Sequence, residues 1–205
     1  MTNDHPMEEN APKRPENAGQ LEALGLEDLA RELRNNTDPL VRQYAAYLLG
    51  KAHNPWAIQP LIEALADFDK SVREQATLAL SRIGKAAIEP LTEVMNEPKW
   101  QTRYRAAEAL GKIADENAVK PLINALKDNR DHVRYMAAKG LKHLGDSDAI
   151  EPMIILLKDE NPYVKMMAVR ALSTIGGPKA DDALKAALAE EKDEKIREAI
   201  TDALR

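Results

Sequence analysis

Val133-Arg134-Tyr135-Met136-Ala137-Ala138-Lys139-Gly140-Leu141-Lys142-His143-Leu144-Gly145 is one copy of a pattern that recurs along the chain. Its skeleton is Val-Arg, then an Ala, a Leu, then Ile or Leu and often Gly. Laid on that skeleton, Val41, Val72, Thr102, Val133, Val164 and Ile196 are equivalent positions, 31, 30, 31, 31 and 32 residues apart. A fixed period of this length marks an array of stacked structural units, in which each unit buries its apolar face only against its neighbours. Counted from the Val, offsets 0, 4, 7, 8 and 11 share one face of a helix, and those positions are largely aliphatic.

Each copy is preceded by a second helical pattern. Four of these carry a proline near their start, in Ile58-Gln59-Pro60-Leu61, Ile88-Glu89-Pro90-Leu91, Val119-Lys120-Pro121-Leu122 and Ile150-Glu151-Pro152-Met153. A proline in a first helical turn sacrifices no hydrogen bond, because those amides have no intrahelical partner. Gly84, Gly145 and Gly176 stand where the second helices should end. In the first unit, Leu21, Leu24, Leu29 and Leu33 form one helical face, and Asn35-Asn36-Thr37-Asp38-Pro39 breaks it before Val41. The sequence therefore predicts an all-α array of six antiparallel helix pairs, with units at about 21–53, 54–84, 85–114, 115–145, 146–177 and 178–205. The last unit is the most charged and reads as an end cap. Residues 1–20, with Pro6, Pro12 and Pro15 among polar residues and nothing to bury, are expected to form a disordered tail.

The modules Asp128-x-x-x-x-Val133-Arg134-x-x-Ala137-Ala138-x-x-Leu141 and Ala149-Ile150-Glu151-Pro152-x-x-x-Leu156-Leu157 resemble HEAT repeats, specifically the short subtype named after phycobilisome lyases. The resemblance covers about Leu21 to Arg205 and implies a right-handed α-solenoid whose second helices line the concave side. It also implies a range of roles: bilin lyase subunits, chromophore-handling proteins and scaffolds.

Composition narrows the chemistry. The chain has 205 residues, no cysteine and a formal net charge of -5. Disulfides, thiolate nucleophiles and sulfur-based zinc sites are absent. The acidic balance disfavours nucleic acid, whose phosphates demand a basic surface. No apolar run approaches the roughly 18 to 20 residues that span a bilayer, and the first residues are not a secretory signal, so a cytoplasmic location is expected.

Two sets of recurring side chains stand out. Arg42, Arg73, Arg103, Arg134, Lys165 and Arg197 follow the Val position, and Asp67, Glu97, Asp128, Asp159 and Glu191 lie six residues before the later ones. In HEAT repeats this placement serves an ion-pair ladder between successive turns, so the set is expected to be structural. The second set lies at offsets 2, 3, 6 and 10, opposite the apolar face, where a groove is expected. It includes Tyr44, Tyr47, Arg82, Tyr104, Arg105, Tyr135, Met136, Lys139, His143, Met166, Met167 and Arg170. Over five units these offsets hold six Lys or Arg against two Glu, with four of the five tyrosines and three of the seven methionines. Tyr and Arg favour binding hot spots, and Met adapts to irregular partners. Trp100 and Tyr163 would extend the rim.

Catalytic signatures are missing. No glycine-rich phosphate loop, nucleophile elbow or metal-type His/Asp cluster occurs. His132 and His143 share a face but stand about 16 Å apart along a helix. The paired-iron hydroxylases with HEAT repeats use His-Glu dipeptides, and this chain has none. The expectation is a noncatalytic adaptor, needing no cofactor and no metal, that grips an acidic or amphipathic segment of another protein. It would be a monomer or a weak dimer through the apolar stripe Ile196, Ile200 and Leu204. The alternative is a bilin lyase or isomerase subunit holding a tetrapyrrole in the same groove. An alkylpurine-glycosylase-like DNA protein is the least favoured.

Overall fold

The computed structural model describes residues 11–205, and all regular structure among them is helical. The chain divides into two compact units, one ending at Pro90 and one running from Leu91 to Arg205. The first holds α1 (Ala18–Glu22), α2 (Leu26–Asn35), α3 (Pro39–Lys51), α4 (Ile58–Ala64) and α5 (Lys70–Ile83). The division falls within α6 (Ile88–Val94). The second unit holds α7 (Trp100–Ile113), α8 (Val119–Ala125), α9 (Asp131–Leu144), α10 (Ile150–Leu156), α11 (Pro162–Ile175), α12 (Pro178–Glu190) and α13 (Glu194–Ala203).

Local chemistry sets these boundaries. Asp38, Asp69, Asn161 and Asp193 cap α3, α5, α11 and α13, each side chain accepting a backbone N–H of the first turn. Pro60, Pro121 and Pro152 are the third residues of α4, α8 and α10, inside the first turn where no donor is lost. Gly84, Gly145 and Gly176 end α5, α9 and α11 with φ of 80°, 67° and 72°. His53 and Ala114 take the same left-handed conformation at φ 49° and 56° where no glycine is present.

The amino-terminal reading needs two corrections. The first ten residues of the expected tail lie outside the described residues, but Ala18 to Gln20 are helical, Pro15 and Ala18 are buried, and Arg14 pairs with Glu22 at 2.9 Å. The leucines from Leu21 to Leu33 do not share one helix. Gly25 adopts extended backbone (φ -74°, ψ 169°) and starts α2 afresh, so that α1 folds against α3 and buries Leu21.

Within each unit the second helices pack on one another through small residues. Ala45, Ala76, Ala106, Ala137 and Ala168 are fully buried. The approach is closest at two glycines: a Cβ on Gly50 would sit 2.6 Å from Ala79 Cα, and one on Gly111 would sit 2.7 Å from Gly140 Cα. Leu49, Leu80, Leu110, Leu141 and Leu172, all at offset 8, are wholly inaccessible. Burial of each contributes about 1.5–3 kcal/mol.

The recurring arginines tie one repeat to the next. Arg42 donates from Nε and Nη2 to Asp67 at 2.8 and 2.9 Å, Arg103 to Asp128 at 2.7 and 2.8 Å, and Arg134 to Asp159 at 2.7 and 2.9 Å. These six side chains are at most 12% exposed. The remaining Nη1 of each arginine donates to the backbone carbonyl six residues earlier, in the turn before its own helix. Arg73 bonds Asp67 O and Phe68 O in the same way, and Arg197 bonds Glu191 O. Lys165 reaches Glu191 at 2.9 Å. The carboxylates have a second task, since Asp67, Asp128 and Asp159 accept the N–H two residues on. Burial works to raise the Asp67 and Asp128 carboxyls, but the arginine and backbone donors outweigh it and hold both below the ordinary aspartate value.

Two outcomes follow for stability. Gly111→Ala forces a methyl against backbone and is expected to cost about 1–3 kcal/mol; Gly19→Ala, in helix α1 with nothing within 4 Å, is the clash-free control and should stabilise by about 0.5–1 kcal/mol in the same denaturant titration. Asp128→Ala strands a buried guanidinium and is expected to cost about 3–5 kcal/mol at pH 7. Because the folded Asp128 carboxyl is depressed, its contribution is complete above the ordinary value near 4 and is lost as pH falls through the lowered one. The variant should therefore lose less stability on acidification than the native chain, a slope measurable by urea melts from pH 6 downward.

Candidate functional site

The second helices present a solvent-facing strip at offsets 2, 6 and 10. In the first compact unit it carries Gln43, Tyr47, Lys51, Glu74, Leu78 and Arg82. In the second it carries Tyr104, Glu108, Lys112, Tyr135, Lys139, His143, Met166, Arg170 and Thr174, each half-buried or exposed. Offset 3 does not belong to it. Tyr44, Met136 and Met167 are buried at 3%, 5% and 5% exposure, and Gln75 at 3%. The physical reason is the small-residue packing: helices this close cover each other's flanks, so a side chain 60° from the middle of the strip falls into the seam. Met136 lies with Ala107, Glu108 and Gly111 of the neighbouring helix in a narrow crevice of about 110 Å³.

Tyr44 is thus a structural residue, in contrast to its expected place as a contact residue. Its hydroxyl donates to Glu22 of α1 at 2.5 Å and its ring lies 5.7 Å from that of Tyr47. Burial, reinforced by the Glu22 carboxylate, pushes the phenol up to about 12.

In the second unit the strip has two ends of different character. Toward the amino ends of α7, α9 and α11 it is aromatic. Tyr104 and Tyr135 stand there with Trp100, His132 and Tyr163, and the Trp100 and His132 rings are 5.0 Å apart. Tyr104, Tyr135 and Tyr163 line a cleft of about 370 Å³ with Asp131, His132 and Asn161. Toward the carboxyl ends the strip is basic, with Lys112, Lys139, His143 and Arg170 exposed. Among the described residues Lys112, Lys139 and Arg170 make no ion pair, whereas Arg105 is bound to Glu108 at 2.8 Å and stacks 5.4 Å over Tyr104. Arg105 at offset 3 is a seam residue held by its neighbours. In the first unit Arg82 lies 5.2 Å over Tyr47.

Asp131, His132 and Asn161 escaped the sequence reading as site residues, because they precede the Val of their repeat and read as turn and cap. Their signal was register: Trp100, His132 and Tyr163 fall at offsets -2, -1 and -1, where consecutive units align their side chains. No group of three or more His, Cys, Asp or Glu with metal-binding spacing occurs among the described residues. No described helix is long and apolar enough to cross a membrane.

Helix pairs with a proline at the start of the first and a Val-Arg-x-x-Ala core in the second, joined by an Arg–Asp ladder, define a helical-repeat protein. The chain belongs to the HEAT-repeat family: the model for HEAT repeats matches residues 26–111, 88–157 and 119–205. A relative is phycocyanobilin lyase subunit alpha of Picosynechococcus sp., 36% identical over 107 residues, 47% of this chain and 40% of that protein. The matched region therefore spans well under half of the relative. Among solved structures, a chain of the complex of CpcE and CpcF of phycocyanin lyase from Nostoc sp. PCC7120 superposes with a TM-score of 0.68 at 24% identity, covering 74% of this chain and 100% of that one. Human deoxyhypusine hydroxylase superposes with a TM-score of 0.52 at 24% identity, covering 87% and 72%. These two likenesses concern the fold.

The buried phenol offers a direct check on the placement of Tyr44. A spectrophotometric titration should show one tyrosine ionising near 12, and Tyr44→Phe should remove it. The raised value makes the Tyr44 contribution to stability complete below about 10 and lost as pH rises through the folded value, so the variant's stability should fall less in alkali.

Proposed function

We propose that the chain is a bilin-lyase-type subunit that holds a linear tetrapyrrole against the strip of its second compact unit, for delivery to or from a protein partner. It contributes binding and orientation, and the bond chemistry belongs to the assembly. The observation that carries this reading is the order of side chains down the strip, aromatic at one end and basic at the other. Tyr135, Lys139 and His143 lie on one line of α9, at about 6 and 12 Å from the tyrosine along the axis. A pigment with conjugated rings and carboxylate side arms matches that order. Its rings stack on Tyr104 and Tyr135, and its carboxylates meet Lys139, Lys112 and Arg170. The kinship with a phycocyanobilin lyase subunit supports the same ligand class.

The second reading is an adaptor that grips a protein segment without pigment. It is favoured by Tyr163, which is 74% exposed at the rim. Aromatic groups so placed are typical anchors for a protein surface.

Titration of the purified chain with phycocyanobilin separates the two. A saturable change in the pigment's visible absorption is expected, weakened roughly 5- to 150-fold in Tyr135→Ala and in Lys139→Ala, the equivalent of about 1–3 kcal/mol, with unchanged thermal melts. Absence of a spectral change, or native-like titration of both variants, would remove the pigment reading and leave the adaptor.

A further inference from the structure

The cleft between Tyr104, Tyr135 and Tyr163 has a feature that a pigment does not use. Asp131, the first residue of α9, is one of the residues that line it. Oδ1 accepts the His132 backbone N–H at 2.7 Å and lies 2.6 Å from His132 Nδ1, while Oδ2 accepts from Asn161 Nδ2 on the neighbouring repeat. These bonds fix the group in place and keep its carboxyl below the ordinary value, with the His132 contact the largest cause. It is an anion at neutral pH. The carboxylates on either side in the ladder, Asp128 and Asp159, are each neutralised by a bidentate arginine. Among the described residues Asp131 makes no ion pair with Lys or Arg; Arg134, committed to Asp159, feels its charge only at longer range.

The aromatic rings show the same asymmetry. Along the second helices, Tyr47 carries Arg82, Tyr104 carries Arg105, and Trp100 carries Arg130 at 6.0 Å, each a guanidinium of the chain itself over a ring. Tyr135 and Tyr163 carry no such cation among the described residues. Two rings without a guanidinium and a carboxylate whose one basic neighbour within ion-pair distance is His132 thus share one cleft.

We infer that this cleft is a receptor for an arginine side chain presented by a partner protein, with the guanidinium stacked on Tyr163 and Tyr135 and donating one N–H to Asp131 Oδ2, the oxygen with an acceptor site left. A planar cation that is weakly hydrated satisfies both requirements at once, by cation–π attraction and by a charge-assisted hydrogen bond to the carboxylate. An apolar side chain would desolvate the Asp131 charge without compensation, and an acidic one would be repelled by it. The inference deepens the proposed function only in giving its protein partner a chemistry, and it holds equally for the adaptor reading.

The test uses the full chain and N-acetyl-arginine amide, a single-residue probe that avoids the general attraction of a polycation to an acidic protein. Amide spectra recorded during titration should show saturable shifts centred on Asp131, His132 and Tyr163. Tyr163→Ala, at an exposed position that leaves the fold intact, should weaken the response roughly two- to fivefold. Asp131→Asn, which keeps the side chain's shape, should weaken it roughly tenfold or more. Lys120→Ala, at an exposed position of α8, should leave it unchanged. Shifts that never saturate, shifts that persist in both cleft variants, or equal shifts with N-acetyl-glutamate amide would overturn the inference. Loss of the arginine response with a preserved pigment titration would sink this inference alone; the converse would sink only the pigment reading.

Discussion

The structure depends on one recurring interaction, the buried pair that Arg42, Arg103 and Arg134 each make with an aspartate 25 residues on. Arg103 shows why it dictates so much. Its guanidinium is spent in two directions, forking onto Asp128 and bonding Glu97 O and Pro98 O in the turn before its own helix. Asp128 in turn holds the turn that leads into α9. One ion pair therefore sets the separation of two repeats and the shape of two turns. Desolvation offsets much of the Coulombic gain of a buried pair, so its larger effect is on register. A stack of nearly identical helices could slide by a turn at little hydrophobic cost; displaced charges would be left unpaired. Where the ladder ends, Lys165 meets Glu191 as a point charge rather than a fork.

The second constraint is closeness. Glycine and alanine at the contacts bring Gly111 and Gly140 backbone to backbone, and this proximity decides which side chains remain available. Offset 3 is swallowed and offsets 2, 6 and 10 stay open. Function is thereby confined to a narrow strip and to the amino ends of the second helices, where caps hold side chains without burying them. The aromatic cleft forms at such an end, with Asn161 capping α11 while its amide reaches across to Asp131.

Within one unit the strip and the cleft offer different chemistries. The strip pairs rings with loose basic groups and suits an anionic conjugated ligand; the cleft pairs rings with a fixed carboxylate and suits a cation. As proposed above, a pigment on the strip and an arginine of its protein partner in the cleft would occupy adjacent turns. Tyr135, between the two, belongs to both.

Much of this was legible without coordinates. The period near 31 residues, the proline and glycine punctuation and the Val-Arg skeleton determine helix pairs, their caps and the ladder, because each is a local rule read once and repeated. The enrichment of Tyr, Lys and Arg opposite the apolar face fell on the side of the second helices that stays open to solvent at offsets 2, 6 and 10. A helical wheel, however, knows only angles about one axis. It counted Tyr44, Met136 and Met167 as surface, since burial there is decided by how near the next helix stands. It ran Leu21 and Leu33 into one helix, since Gly25 matters only once α1 has α3 to fold against. It also passed over Asp131 and Asn161, which lie 30 residues apart and meet only across two repeats. The repeat and its chemistry were thus written in the sequence, whereas the spacing between helices, a property of the packed chain, decided which residues remain free to bind.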